Sequence, residues 1–248
     1  MNLGFALLTL FPGRVGGSEA NVRGLLAEYA RGNGPDRVTV LANRHVEAAY
    51  RDAARGPVEL HRVRSYHAGD GTLTRMLAMG GAAAAPRRAA RDVPAGIDVM
   101  HYPVTVPIPR TEAPTVVTLH DVQHHDLPGF FSRAETLYRR RAYDGAARSA
   151  DVVVASSEFS RGRIADAVGV PRERIEVAPL GIDPERFAPE GADDAAALEP
   201  LGLPGAFVVY PANLWPHKNH ERLLTIPRLI ADRAEEGWRE ARECAGPA

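Results

Sequence analysis

The amino-acid sequence predicts an α/β fold built on a doubly wound parallel sheet, with helices on both faces. The first observation is a set of short, continuous apolar runs, such as 3–10, that are typical of buried strands. The second is helical spacing: Val22, Leu25, Leu26 and Tyr29 recur at positions i, i+3, i+4 and i+7. Because strand-like and helix-like segments then alternate, we expect parallel strands joined by helices.

The elements follow in order along the chain. Strands are predicted at 3–10, 37–43, 59–63, 98–103, 114–120, 151–156, 174–179 and 206–212. Helices are predicted from Ser18 to Gly32, and at 72–91, 133–150, 157–168 and from about 217. Ser18 is expected to cap the first helix, and Gly32 and Gly34 to end it. The polar stretch 121–132 is predicted as a loop.

The domain organisation is predicted from these elements. Residues 1–185 form one domain, 186–205 a linker rich in Pro, Gly, Ala and Asp, and 206–248 the incomplete start of a second domain. Ligands of open parallel sheets bind at the carboxyl ends of the strands. The residues directly after each strand are therefore the candidates for function.

Composition excludes several classes of protein. The net charge is -1, from 30 basic and 31 acidic residues, so no bulk electrostatic attraction to nucleic acid is expected. The single cysteine excludes an internal disulfide and a cysteine zinc site. The apolar start lacks a preceding Lys or Arg and is interpreted as a strand, not a signal peptide. We expect a cytoplasmic location and leave peripheral membrane contact open.

Two loops after strands carry candidate residues. Gly13, Gly16 and Gly17 precede a helix, where free N–H groups attract anions, although a tight turn alone would also explain them. Neither the dinucleotide fingerprint nor the P-loop pattern is present. His120 ends a strand, where a neutral imidazole could hydrogen-bond a sugar hydroxyl or a reacting centre.

Further along the His120 loop, His124 and His125 lack standard zinc spacing and are expected to be solvated loop residues. After the last strand, Lys218 at a helix start suits a diphosphate, the alternative being an ordinary exposed lysine. The Arg139–Arg141 run is interpreted as a solvated face, with an acidic acceptor or membrane surface as the alternative.

Several motifs together resemble glycosyltransferase family 4, a group of retaining enzymes with the GT-B fold. In chain order they are GGSE (16–19), TLHD (118–121), SEFS (157–160), PLGID followed by Phe187 (179–187), YPANL (210–214) and HKNH (217–220). Each motif is modest alone, but their order and spacing are specific. The resemblance covers most of the chain and is weakest between residues 46 and 91.

The resemblance implies a Rossmann-like N-terminal domain that binds the acceptor and a C-terminal domain that binds a nucleotide sugar. It places Gly16 and Gly17 near the donor diphosphate and the acceptor, with His120 against the transferred sugar and Asp121 beside it. Lys218 would bind the donor phosphate, near Asn213, where many members have Arg. The activity implied is that of a metal-independent, retaining hexosyltransferase in glycan or polysaccharide biosynthesis.

The implied partners are a nucleotide sugar and a glycan, lipid-linked or small-molecule acceptor, with no nucleic acid and no cofactor. The segment WPHKNH (215–220) resembles mannosyl-transferring members and favours GDP-mannose. The family's glutamate pair, with seven residues between its members, is not expected at Glu235 and Glu243, whose helical context lacks its glycines. We therefore expect a truncated second domain, from early termination, a frameshift or a fragment. The alternatives are a non-catalytic acceptor-binding module and an inactive product.

Overall fold

The structure is a computed structural model that describes residues 1–14, 16–182, 199–202 and 209–231. The chain divides into two compact units, Met1–Ala188 and Pro189–Ala248. The predicted linker and the pair Glu235 and Glu243 lie largely or wholly outside the described residues.

The first unit contains a seven-stranded sheet in the order β3-β2-β1-β4-β5-β6-β7, and every neighbouring pair of strands is parallel. The strands are β1 Asn2–Ala6, β2 Arg37–Ala42, β3 Val58–Arg62, β4 Val99–Tyr102, β5 Thr115–Thr118, β6 Val152–Ala155 and β7 Ile175–Val177. The prediction of a doubly wound, Rossmann-like parallel sheet is confirmed.

Helices connect the strands. They are α1 Gly17–Ala30, α2 Arg44–Ala49, α3 Thr72–Ala84, α4 Pro86–Ala89, α5 Gln123–Asp126, α6 Arg133–Arg139, α7 Gly145–Ser149 and α8 Glu158–Val168, with a π-helical segment Arg140–Asp144 between α6 and α7. Single 3₁₀ turns are formed by Arg51–Ala53, Pro128–Phe130 and Arg172–Arg174.

Apolar side chains cover the two faces of the sheet separately, because successive strand residues point to opposite sides. One core contains Phe5 and Val40 and packs on Leu26 of α1. The other contains Met100 and Val153 and packs around α7 and α8. The strands are thus held between two cores, which fixes the positions of the loops that follow them.

Some predicted boundaries are wrong. The first strand ends at Ala6, because the chain turns and the Leu10 N–H bonds the Leu7 carbonyl. The first helix begins at Gly17 with Gly16 as its N-cap, so Ser18 lies inside the first turn. Pro86 separates two helices in the predicted 72–91 segment. The predicted loop 121–132 contains α5, whose first turn is bridged by the Asp121 carboxylate accepting from the Gln123 N–H.

The second unit is described over 199–202 and 209–231. It contains the 3₁₀ turns Glu199–Leu201 and Pro216–Lys218 and the helix α9 His220–Ala231. Residues 209–212 are not in a strand, while 203–208 of the strand predicted at 206–212 lie outside the described residues. No helix among the described residues is long and apolar enough to span a bilayer.

Candidate functional site

His120 lies two residues beyond the end of β5, at the edge where the carboxyl ends of the parallel strands meet. It lines a groove of about 620 Å³ that runs along the α1 face of the sheet. Thr118, Ser156 and Pro179 line the same groove. The position therefore has the geometry of a ligand-binding edge, as the sequence predicts.

The His120 imidazole has an unused polar atom. Its Nε2 is buried and has no hydrogen-bond partner among the described residues. Burial lowers the pKa of His120, against smaller raising effects of Asp121 and of the Pro103 backbone. The ring is therefore neutral near pH 7 and can exchange hydrogen bonds without bringing a charge. Buried polar atoms usually have a partner, so an unpartnered Nε2 indicates a place for a ligand group.

The backbone of His120 is positioned by the start of α8. Ser157 caps this helix, accepting from the Ser160 N–H at 3.1 Å. The Ser156 and Ser160 hydroxyls approach the His120 carbonyl oxygen at 3.5 and 3.4 Å, which are long, weak hydrogen bonds. The serine-containing motif and the His120 motif, distant in sequence, thus meet at one point.

A second buried histidine lies beneath His120 in the groove. The His101 Nε2 is 2.8 Å from the Thr118 hydroxyl, and both side chains are almost fully buried. Thr105, with a left-handed φ of 70°, donates its hydroxyl to the Thr118 carbonyl at 2.8 Å. Such a φ is rare for a β-branched residue and occurs mostly where the surroundings impose it. These three residues fix the strand end that carries His120.

His101 gives the fold a measurable pH dependence. Burial lowers its pKa to about 4, helped by the nearby His120. The folded state keeps it neutral while the unfolded chain protonates it below about pH 6.5, so stability is complete above that pH and falls as the pH drops towards 4. We expect His101 alone to remove about 3 kcal/mol from the free energy of unfolding between about pH 7 and pH 4.

The measurement is urea unfolding at about pH 7 and about pH 4.5, comparing the protein with His101→Gln. The difference between the two pH values should shrink by about 2 kcal/mol or more in the variant, since the other titrating groups contribute to both proteins. An unchanged pH dependence would show that His101 is protonated as easily in the folded protein as in the unfolded chain.

The glycine loop after β1 is held by Glu19. The Gly13 N–H donates to the Glu19 carboxylate at 2.6 Å, and Arg23 pairs with the same carboxylate at 2.9 Å. Gly16 has φ 64°, a conformation that favours glycine, whereas a Cβ on Gly17 would meet nothing within 4 Å. The loop lies at the same edge of the sheet as His120, but Gly16 and Gly17 do not line the His120 groove.

The expectation that His124 and His125 are solvated is wrong for His124, which is fully buried, and His125 is largely buried. Their Nε2 atoms lie 2.8 Å from the two carboxylate oxygens of Asp144, in the π-helical segment. Because a carboxylate accepts only, both Nε2 atoms carry the protons. Burial lowers the pKa of His124, although the hydrogen bond to Asp144 acts in the opposite direction.

These three residues are also a conceivable metal-ligand set, since their ligand atoms all lie within 4.8 Å. The two separations of 2.8 Å, however, are those of direct hydrogen bonds. Tetrahedral ligands at 2.0–2.1 Å from zinc would lie about 3.4 Å apart. The arrangement therefore fits a hydrogen-bonded clamp between α5 and the π-helical segment.

Asn213 and Lys218 belong to the second unit. Lys218 is exposed at the end of a 3₁₀ turn, directly before Asn219 with its left-handed φ of 54° and the start of α9. The Lys218 carbonyl accepts from the Tyr210 hydroxyl at 2.9 Å, which ties the two family-like motifs of this unit together. The lysine therefore precedes a helix N-terminus, as the sequence predicts.

Sequence reasoning missed several residues of the site. His101, Thr105 and Ser160 gave no motif of their own, and Asp144 appeared only as one charge in a polar helix. The signal for His101 is a polar residue inside an otherwise apolar strand, because such a residue must find a partner.

The comparisons agree with this architecture. The Glycosyltransferase Family 4 model matches residues 15–186. Anabaena HepE (Alr3699) in complex with UDP-glucose is similar at 18% identity and a TM-score of 0.49, over 82% of this chain and 50% of that one. HepE in complex with UDP and glucose is similar at 18% identity and 0.48, with the same coverage.

A glycosyltransferase from Rickettsia africae is similar at 13% identity and a TM-score of 0.44, over 82% of this chain and 50% of that one. The chain thus spans about half the length of these solved structures. No curated protein matches it. The family match covers more than half of the chain, including the glycine loop and His120, and the chain belongs to Glycosyltransferase Family 4.

Proposed function

We propose that the protein transfers a sugar from a nucleotide-sugar donor to an acceptor with retention of anomeric configuration, in glycan or polysaccharide biosynthesis. The observation that carries the proposal is the neutral His120, whose buried Nε2 lacks a partner among the described residues at the carboxyl edge of the sheet. A neutral imidazole binds a sugar hydroxyl in either hydrogen-bonding sense. Asp121, Gly16 and Gly17 are proposed to contribute from the same edge.

Retention is proposed to proceed by departure and return on one face of the sugar. The nucleoside diphosphate leaves as the acceptor oxygen attacks, and the acceptor proton passes to the leaving diphosphate. Such a route needs stabilisation of the leaving diphosphate and of positive charge on the sugar more than it needs a protein nucleophile. His120 would hold the sugar in a reactive orientation.

Lys218 is proposed to bind the donor diphosphate, with Asn213 nearby in sequence. It is the only lysine in the chain, so the other 29 of its 30 basic residues are arginines. An arginine would serve equally well as a solvated surface charge, which makes a single lysine before a helix N-terminus a specific choice. A compact ammonium and the free N–H groups of α9 would both favour the diphosphate.

Lys218→Ala is expected to weaken binding of the nucleoside diphosphate about tenfold to a hundredfold, the loss of one charge-assisted hydrogen bond. Titration calorimetry with UDP and GDP measures this, and the contrast between them tests the preference for GDP-mannose. Arg222→Ala, an exposed cation in α9, is the matched control and should leave the affinity unchanged. Equal effects of the two substitutions would assign Lys218 to general surface charge.

The transfer itself is tested with a panel of UDP- and GDP-sugars, by measuring release of nucleoside diphosphate with and without glycan, lipid-linked and small-molecule acceptors. We expect one donor to be turned over preferentially, without an added metal and with a rate that rises with the right acceptor. Nucleotide release that requires no sugar, or no turnover of any donor by the full-length gene product, would contradict the proposal. The proposed place of the reaction is the cytoplasm.

A further inference from the structure

Helix α3 has an unusual surface for an exposed helix. Of its thirteen residues, Arg75 is the only charged one. Leu73, Met76 and Leu77 are 71%, 61% and 67% exposed. A helix that is apolar on all sides is normally buried, so this one is expected to have an apolar partner.

The apolar surface continues onto α6 across a groove of about 780 Å³. Leu137 and Tyr138 of α6 are 52% and 40% exposed beside it. The far side of α3 packs on the core through Met79 and Ala82, so the exposed side chains are the outward face of a docked helix. Together α3 and α6 present one contiguous apolar surface, called here the α3–α6 patch.

Positive charge is concentrated around the patch. Segments 71–91 and 127–143 contain eight arginines, one glutamate and no other charged residue, so their net charge is +7, in a chain with a net charge of -1. No ion pair within 4.0 Å joins any of these arginines to a carboxylate in the described part of the chain. The charge is therefore available to an anionic partner.

We propose that the α3–α6 patch docks the protein on an anionic lipid bilayer. The helix, about 20 Å long, would lie in the plane of the interface, with Met76 and Leu77 among the upper acyl chains. Arginines such as Arg140 and Arg141, which are exposed at the rim, would contact the lipid phosphates. This surface is separate from the groove of His120, and the inference does not depend on the transfer reaction.

The chemistry favours a bilayer over a protein partner. Protein interfaces usually combine an apolar centre with a rim of both charge signs, whereas this rim is almost purely cationic. Flexible methionine and leucine side chains with a one-sign arginine rim match the two layers of a lipid surface, acyl chains below phosphates. A second copy of the chain would bring a rim of the same sign and would be repelled.

The test is co-sedimentation of the full chain with phosphatidylcholine vesicles, pure or containing about 30% phosphatidylglycerol. We expect binding to the anionic vesicles only, weakened as salt rises towards about 1 M. The double variant Arg140→Gln/Arg141→Gln should lower the partition coefficient about 25-fold, about fivefold for each charge. Met76→Gln/Leu77→Gln should lower it about tenfold or more.

Matched controls carry the same changes elsewhere. Arg51→Gln/Arg55→Gln removes two exposed charges outside the patch, and Leu224→Gln removes an exposed leucine of α9. Both controls should bind vesicles as the unchanged protein does. No binding to anionic vesicles, or equal losses in patch and control variants, would overturn the proposal. So would a dimer that Met76→Gln/Leu77→Gln dissociates while no vesicles are bound, because the patch would then belong to a second copy.

Because the vesicle assay contains no nucleotide sugar, its failure would leave the proposed transfer untouched. Conversely, a protein that binds vesicles through the patch but turns over no donor would refute the transfer alone. All the substituted side chains are exposed, so each variant should keep the thermal unfolding transition of the unchanged protein.

Discussion

Replacing His120 with alanine is expected to lower kcat about a hundredfold or more while leaving the fold intact. The side chain has one buried nitrogen, Nε2, without a partner among the described residues, so its removal costs the folded protein little. A positioned group that acts on the reacting sugar typically contributes a factor of about 10² to 10⁴. The measurement is steady-state turnover of the preferred nucleotide sugar by the full-length gene product.

The control for this substitution is His67→Ala, which removes an exposed histidine of the same unit. His67→Ala should have the turnover of the unchanged protein, and His120→Ala should match it in its urea unfolding curve. If His120 orients the sugar, the loss should fall mainly on kcat, with a smaller change in KM for the donor. A kcat close to that of the unchanged protein would remove His120 from the active site.

Asp144→Ala is expected to lower the free energy of unfolding by about 3–4 kcal/mol. Its carboxylate is 2% exposed and accepts from both His124 and His125 at 2.8 Å. Truncation leaves two buried or largely buried N–H groups unpaired and removes the connection between α5 and the π-helical segment. Losing one member of a buried, hydrogen-bonded charged group typically costs about 3–5 kcal/mol.

Urea unfolding measures the effect, and two further variants sharpen it. Asp144→Asn retains one acceptor and should lose less than Asp144→Ala. Asp166→Ala removes an exposed carboxylate with two long ion pairs, at 3.9 and 4.0 Å, and should cost about 0.5 kcal/mol or less. A loss below about 1 kcal/mol for Asp144→Ala would show that the clamp contributes little to stability.

The parallel sheet was predictable because apolar runs and helical periodicity are local signals. The positions of strand ends were less so: Leu7 and Leu10 are as apolar as the strand, and only a turn, invisible in hydropathy, ends β1 at Ala6. The N-terminus of α1 shows the same limit. A serine suits an N-cap, yet the positive φ of Gly16 places the helix start one residue before Ser18.

The site was predictable where a motif lies at a strand end, as for His120. It was not predictable where the partner is distant in sequence. His124 was expected in solvent because its neighbours are polar, but its partner Asp144 lies 20 residues away on a helix that packs over it. His101 likewise depends on Thr118 of the next strand. Long-range pairing of buried polar groups leaves no periodic trace in a single sequence.

The central claim is that a nucleotide sugar reacts beside His120 with its anomeric configuration retained. The most direct measurement is NMR of the anomeric centre of the product formed by the full-length gene product, recorded early in the reaction. The account predicts a product with the donor's configuration, formed about a hundredfold more slowly by His120→Ala. An inverted product, or one formed equally fast by the variant, would contradict it.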